Sequence, residues 1–448
     1  MRSHKIKRFV HIGLILAASA MLLGFFSMMV NTSFMLSNEE CVEDFDHLVK
    51  TIEETHPAFE LGRMPTDYET QKQDIRTLIM DMTNQDDYTM LVSRYLTLLN
   101  DGHTKLIQPW VVDDYFLEIK PFALAKGDTL YVVSEDPHEY EDEILTIGGI
   151  AVERIFETID LYMPAEDQTA RDDNHNVYAM NKAILKLSGC AVEEESLMGN
   201  NTYSTKVTFS KVDKSMEEVT EKVMKFTDES ITENKDSGEQ ISSKKLGDVY
   251  YVDMNVCLDN AKLDKEISKL KEAIDSGFYK IIIDVRDNSG GNSEACRKLL
   301  NAMGMEIPQV GEYVRYSPLA QKANDAYPLT GNATIEADFS AAKPNSKIQL
   351  VVLMNAHTVS SGLLMSVYVQ DAKLGTIVGQ PSINTPSHYG DILMYKLPKS
   401  KLKVSISHKY FTRPNPQANQ NMLIPDFEPE VGIDSLDFAL EYLADQLH

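Results

Sequence analysis

Apolar positions recur at helical spacing early in the chain. Phe45, Leu48 and Ile52 fall on one face, and Pro57 breaks the pattern before Phe59, so a helix is predicted to stop near residue 56. Two further amphipathic stretches, at about 68–82 and 88–99, predict helices. They lead into the turn-forming cluster Asn100-Asp101-Gly102-His103-Thr104. From about 115 to 209 the period shortens to alternating runs such as Thr129-Leu130-Tyr131-Val132-Val133. Residues 143–150 read as a strand, a tight turn and a second strand. Residues 211–247 are rich in Lys, Glu, Asp and Ser with few large apolar side chains, which suits a solvated linker, exposed hairpins or disorder.

Beyond Val249 the two periods interleave. Strands are predicted at 249–252, 280–285, 348–354 and 376–378, and helices at 264–275, 294–303 and 360–370, with a closing amphipathic helix at 434–447. Largely apolar strands alternating with helices predict an α/β unit with a mainly parallel sheet. Four segments follow. Residues 1–34 form a signal peptide or membrane anchor, and 38–108 a helical segment carrying His103. A β-rich middle region with a polar linker spans 109–247, and an α/β core spans 248–448.

The first segment rests on charge. Arg2, Lys5, Lys7 and Arg8 precede an apolar run at about 12–30, and no acidic residue occurs before Glu39. A basic stub before an uncharged run close to the roughly 20 residues that span a bilayer is a targeting or anchoring signal. Ala18-Ser19-Ala20 has the spacing of a cleavage site, although 22–30 stay apolar. A buried N-terminal helix would keep a polar face. The rest of the chain is therefore expected outside the cytoplasm, membrane-anchored or secreted. A net charge of −25 argues against nucleic-acid binding, which needs a basic surface. Cys41, Cys190, Cys257 and Cys296 are too few for a disulfide-built scaffold and show no CxxC spacing, so zinc is not expected. One or two disulfides remain open. No metal or cofactor is implied.

Three clusters carry candidate chemistry. Asp284-Val285-Arg286-Asp287-Asn288-Ser289-Gly290-Gly291-Asn292 follows an apolar strand, and its paired glycines leave backbone N–H groups uncovered where an oxyanion could sit. A plain strand–turn–helix corner explains it equally; a phosphate loop does not, since no GK[ST] follows. Asn355-Ala356-His357-Thr358-Val359-Ser360-Ser361-Gly362 joins a buried strand to a helix. A serine there is an N-cap or a nucleophile using the helix dipole. His103, in its turn, is surface decoration or a base.

Taken together, these residues resemble the C-terminal processing (tail-specific) serine proteases and their tricorn-core relatives. Residues 284–292 resemble that family's glycine loop, 355–362 its nucleophile elbow, and Val378-Gly379-Gln380-Pro381-Ser382 its "VGEPT". Asp101-Gly102-His103-Thr104 resembles the "DGHT" of the branch that uses a histidine. Tyr389-Gly390-Asp391, Leu397-Pro398, Tyr410-Phe411 and Pro425-Asp426 follow in order. The resemblance implies a crotonase-like, mainly parallel α/β core preceded by a helical segment and a small β-rich region resembling a PDZ-like module, which lacks a clear carboxylate-binding glycine motif. It implies Ser360 as nucleophile, His103 as general base, and the N–H groups of Ser361 and Gly290 or Gly291 as the oxyanion hole.

Two departures stand out. The lysine of the Ser–Lys branch falls on Thr385, and no lysine lies between Lys373 and Lys396. The acid that assists the histidine falls on Asn419 or Gln420, so the third triad member is unknown. The implied activity is an exported serine endopeptidase acting on peptide or protein substrates. The alternatives are a catalytically silent relative binding peptides or a hydrophobic ligand, and acyl-CoA chemistry, against which export speaks. An ordinary imidazole base would give activity rising through about pH 6–7.

Overall fold

The computed structural model describes residues 36–445, apart from 85–86, 108–114, 135–139, 198–199, 226–239, 341 and 431. The expected 1–34 segment lies outside the described residues, as does much of the polar stretch before residue 240. Among the described residues no helix is long and apolar enough to cross a membrane. The chain divides into two compact units. The first comprises Met1–Glu54, Ala58–Asp236 and Met394–Ile406, and the second Thr55–Pro57, Ser237–Leu393 and Ser407–His448.

In the first unit the helices Asn38–Thr55, Tyr68–Asp81 and Asp87–Thr97 stand where the periodicity placed them. Phe45, Leu48, Ile52, Ile75, Ile79 and Tyr95 are buried, and the Tyr68 and Tyr95 hydroxyls meet at 2.9 Å. An antiparallel sheet of eight strands follows, with main path Tyr115–Leu117, Met216–Lys225, Asn200–Ser210, Tyr140–Ile147, Thr129–Val133 and Phe122–Lys126. Met216–Lys225 pairs along Asn200–Ser210, so the first part of the polar stretch is an exposed hairpin.

The β-rich reading of 109–247 needs one correction. Three helices, Val152–Tyr162, Gln168–Tyr178 and Lys182–Leu187, interrupt it. Val152, Ile155, Phe156 and Ile159 are buried at helical spacing. That signal was masked by the alternating runs before and after it. Asp167 and Asn181 cap the two later helices through their side chains.

The second unit is the expected α/β core. Its sheet runs Ile241–Leu246, Val249–Met254, Lys280–Asp284, Gln349–Met354, Thr376–Gly379; the first pairing is antiparallel and the other three are parallel. Helices Ala261–Asp275, Glu294–Ala302 and Ser361–Asp371 bury Leu270, Leu299, Leu300 and Val367 with Ile281, Ile283 and Val352 of the sheet. Ser435–Asp445 packs Ala439 and Leu443 with Ile282, Val351 and Leu353, which alternate to the other face. Gly311–Tyr316 pairs with residues 409–412 and with Gly331–Ile335 in a separate antiparallel sheet. In the parallel register Asp284 lies beside Leu353 and Met354 beside Gly379, so the loops after three neighbouring strands leave from one sheet edge. That is the edge where open α/β sheets place function.

Strand packing at this edge fixes Gly379. It sits at φ +138, and a Cβ there would lie 1.8 Å from the Met354 carbonyl oxygen. Gly379→Ala is expected to lower stability by at least about 2 kcal/mol through backbone strain and displacement. Urea unfolding measures it, and an unchanged midpoint would contradict the close approach.

Candidate active site

The elbow after Gln349–Met354 is built around a buried threonine. Thr358 Oγ1 donates to the Val285 carbonyl at 2.8 Å and accepts the Asn355 N–H at 3.0 Å, while Val359 N–H donates to the Asn288 carbonyl at 2.9 Å. These bonds pin the turn to the neighbouring loop and leave Ser360 at φ 53, ψ −124. A non-glycine residue reaches that region only when its surroundings force it, at roughly 1–3 kcal/mol. The N-cap alternative fails locally, since the Ser360 side chain makes no capping hydrogen bond. Instead the Ser360 carbonyl accepts the Leu364 N–H at 3.0 Å and starts the helix, while its own N–H donates to Asn384 Oδ1 at 2.7 Å. The hydroxyl is left free of cap duty at the start of a helix.

Asn384 is held by its own loop, which wraps the elbow. Ser382 Oγ donates to the Thr358 carbonyl at 2.6 Å, Ile383 N–H to the Ala356 carbonyl at 2.9 Å, and Asn384 N–H to Ser382 Oγ at 2.9 Å. The sequence alone assigns no role to Ile383 or Asn384. The function of Asn384 here is to hold the backbone of Ser360.

The glycine loop packs directly on the serine. Asp284 accepts the Tyr251 hydroxyl at 2.8 Å and three Arg286 N–H groups, one of them backbone, and Asp287 and Asn355 exchange hydrogen bonds at 2.9 and 3.0 Å. Asn288 is fully buried; its Nδ2 donates to the Met254 carbonyl at 2.6 Å and its Oδ1 accepts the Gly290 N–H at 2.8 Å. Gly290 and Gly291 both have positive φ, 93 and 128. A Cβ at Gly290 would lie 2.6 Å from Ser360 Cβ, and one at Gly291 would lie 2.2 Å from the Cys257 carbonyl oxygen. The Gly290 N–H is thus committed to Asn288. Among the described residues the Gly291 and Ser361 N–H groups have no acceptor, and Ser361 Oγ ties the two residues together by donating to the Gly291 carbonyl at 2.8 Å.

The cysteines are buried free thiols, so the disulfides left open by the sequence are absent among the described residues. Cys257 frames the glycine loop through Cys257 N–H to Gly290 O at 2.8 Å and Asn292 N–H to Cys257 O at 2.7 Å. Cys296 Sγ lies 3.6 Å from Cys257 Sγ and 3.2 Å from the Ser361 carbonyl oxygen. Its hydrogen bond with Cys257, with burial, holds the Cys296 thiol well above its ordinary pKa.

Among the described residues of this unit, the positions expected to supply a Ser–Lys pair do not build one. Thr385 Oγ1 donates to the Ser387 carbonyl at 2.7 Å, and Lys373 is exposed beyond the far end of the 11-residue elbow helix, about 16 Å along its axis. No carboxylate stands at the expected acid position either. Gln420 Oε1 accepts Ser387 Oγ at 2.6 Å and Asn419 Oδ1 accepts the Asn421 N–H at 2.9 Å, so both amides shape their own loop.

His103 belongs to the first unit. Buried Asp101 accepts the His103 N–H at 2.8 Å and Thr104 Oγ1 at 2.6 Å, fixing the turn, while the His103 carbonyl accepts Ser405 Oγ at 2.6 Å. His103 Nδ1 lies 3.6 Å from both Asp101 Oδ1 and Glu166 Oε1. Burial works against the charged ring. The neighbouring carboxylates of Asp101 and Glu166 outweigh it and push the pKa up to about 9. Asp101, His103 and Glu166 offer ligand atoms within 4.8 Å of one another, as a metal site would. Both Asp101 oxygens already accept hydrogen bonds, however, so the cluster is better suited to holding a proton. Sequence reasoning missed Glu166, which is remote from His103 along the chain and belongs to no motif.

Strand, strained serine, helix and a glycine loop with two N–H groups that find no acceptor among the described residues form the arrangement a serine hydrolase would use. Residues 246–428 match Peptidase family S41. Mature CPAF superposes with a TM-score of 0.57 at 13% identity, covering 92% of this chain and 96% of that one. CPAF complexed with lactacystin gives 0.56 at 12%, covering 92% and 97%. The photosystem II D1 C-terminal processing protease gives 0.43 at 14%, covering 90% and 96%. At these identities the likeness to CPAF is one of fold. No curated protein matches the sequence.

Gly290→Ala is expected to abolish peptidase activity, because the new methyl would displace Ser360. Ser361→Ala should cost only about 1 kcal/mol of stability, since the Gly291 bond is lost but the N–H survives. Full activity in Gly290→Ala, measured on a fluorogenic peptide, would show that the serine does not need the position it occupies.

Proposed function

We propose that the chain is an exported serine endopeptidase with Ser360 as nucleophile and His103 as general base. The observation that carries this reading is the backbone of Ser360, held at φ 53 with its hydroxyl uncapped against a glycine loop. In the proposed cycle Ser360 Oγ attacks the scissile carbonyl and His103 takes the hydroxyl proton. The Gly291 and Ser361 N–H groups receive the oxyanion. His103 returns the proton to the leaving amine, and water then hydrolyses the acyl-enzyme by the same route. The assignment of His103 is supported by its resemblance to the histidine-using branch and by the carboxylates around its ring.

Labelling with a fluorophosphonate probe and peptide mapping tests the nucleophile. The adduct is expected on Ser360, and Ser360→Ala should label no residue while keeping its fold, since a helix-start hydroxyl contributes only about 1 kcal/mol. Failure of the parent chain to label would favour the silent, peptide-binding reading. The base must be neutral to accept a proton. A ring whose pKa is raised to about 9 stays charged until the pH climbs through that value. Activity should therefore rise through about pH 9, later than the 6–7 of an ordinary imidazole, and His103→Gln should remove that limb with most of the turnover.

Export is supported by the basic stub and apolar run before residue 35. A reporter fused after residue 40 should be active outside the cytoplasm; activity confined to the cytoplasm would remove the proposal.

A further inference from the structure

The catalytic reading lacks an acid. The position that should supply it holds Asn419 and Gln420, whose amides serve their own loop. Within the first unit, two carboxylates face His103 Nδ1 at equal distance. Asp101 is local to the turn: it accepts the His103 backbone N–H and the Thr104 hydroxyl, and its proximity to the ring follows from that cap. Glu166 reaches the turn from another element. It arrives from the loop before Gln168–Tyr178, its side chain is 6% exposed, and its Oε1 accepts the Gly102 N–H at 3.2 Å. Gly102 leaves it room, since a Cβ at 102 would stand 3.3 Å from Glu166 Oε1.

We infer that Glu166 is the positioning residue for His103, the carboxylate that orients its ring from the Nδ1 side. The inference rests on the peptidase reading above. A carboxylate at Nδ1 selects the tautomer that carries its proton there and leaves the Nε2 lone pair open, the form a serine hydroxyl needs. When Nε2 takes the proton from Ser360 the ring becomes an imidazolium. Glu166 stays ionised and pairs with it until the proton passes to the leaving amine. The 3.6 Å separation is longer than a hydrogen bond, as catalytic contacts often are before substrate binds. Other charges bear on the same spot: Asp101 from the turn, Asp167 beside Glu166, and Lys105, whose ammonium acts on both Asp101 and Glu166. The raised pKa of His103 agrees with this arrangement.

The test compares Glu166→Gln and Glu166→Asp in the full chain by two readouts. The first is the His103 titration followed by NMR in a ¹⁵N-histidine chain that also carries Ser360→Ala, assigned by the resonance lost in His103→Gln. It needs no activity. Glu166→Gln should lower the His103 pKa by on the order of one unit, and Glu166→Asp by less. The second is the rate of fluorophosphonate labelling of Ser360 at its high-pH plateau, where the ring is neutral in every variant. It should fall by roughly two orders of magnitude or more in Glu166→Gln and recover in part in Glu166→Asp. If Glu166→Gln does not fold, Glu166→Asp carries the test, and both its pKa and its rate must move below the parent's. An unchanged titration, or an unchanged labelling rate in a parent that labels, overturns the inference. So does loss of labelling in EDTA with recovery on adding zinc, which would give the three side chains to a metal. A parent that never labels defeats the peptidase reading instead, and the titration still decides whether Glu166 governs the ring.

Discussion

A serine backbone does not adopt φ 53, ψ −124 unaided, and most of the second unit's functional edge can be read as the means of holding it there. Three contacts act together: Thr358 anchors the turn to Val285, Asn384 takes the Ser360 N–H, and Gly290 presses an unsubstituted Cα against the Ser360 side chain. Remove the strain and the hydroxyl would turn back to cap its own helix, as serines at such junctions do. Held in place, the hydroxyl stays off the backbone and two N–H groups remain open beside it.

Asn288 links this local geometry to the sheet. One end of its amide binds the Met254 carbonyl and the other the Gly290 N–H, while its carbonyl receives Val359 N–H. A single buried residue thereby couples the end of one strand and the glycine loop through its side chain and the elbow through its backbone. Burying an amide is favourable only when its polar atoms are bonded, and here both ends are. The parallel register supplies the rest, because adjacent strands that run the same way must release their loops at the same edge.

The α/β core was legible because its strands are long apolar runs bounded by turn residues. Other features depend on contacts that no pattern encodes. Gly290 and Gly291 are equivalent in the sequence, and only the bond to Asn288 separates the N–H that is taken from the one that is not. Asn384 was missed because its role is a single hydrogen bond to a backbone atom. The helix at Val152–Tyr162 has clear periodicity but is flanked by alternating segments. Glu166 meets His103 only after the middle region has folded, and a lone glutamate before a helix cap has no motif to announce it.

The strain at position 360 also bears on descent. Glycine there would relax the backbone at no loss to the fold, and a side chain at 290 would then meet less resistance. Asn288 and Thr358, by contrast, are needed to hold the loops together whether or not any bond is cut. Selection for chemistry and selection for architecture therefore fall on different residues only a few positions apart. A relative that keeps the asparagine and threonine but has lost the serine and the glycine is one whose scaffold has outlived its reaction.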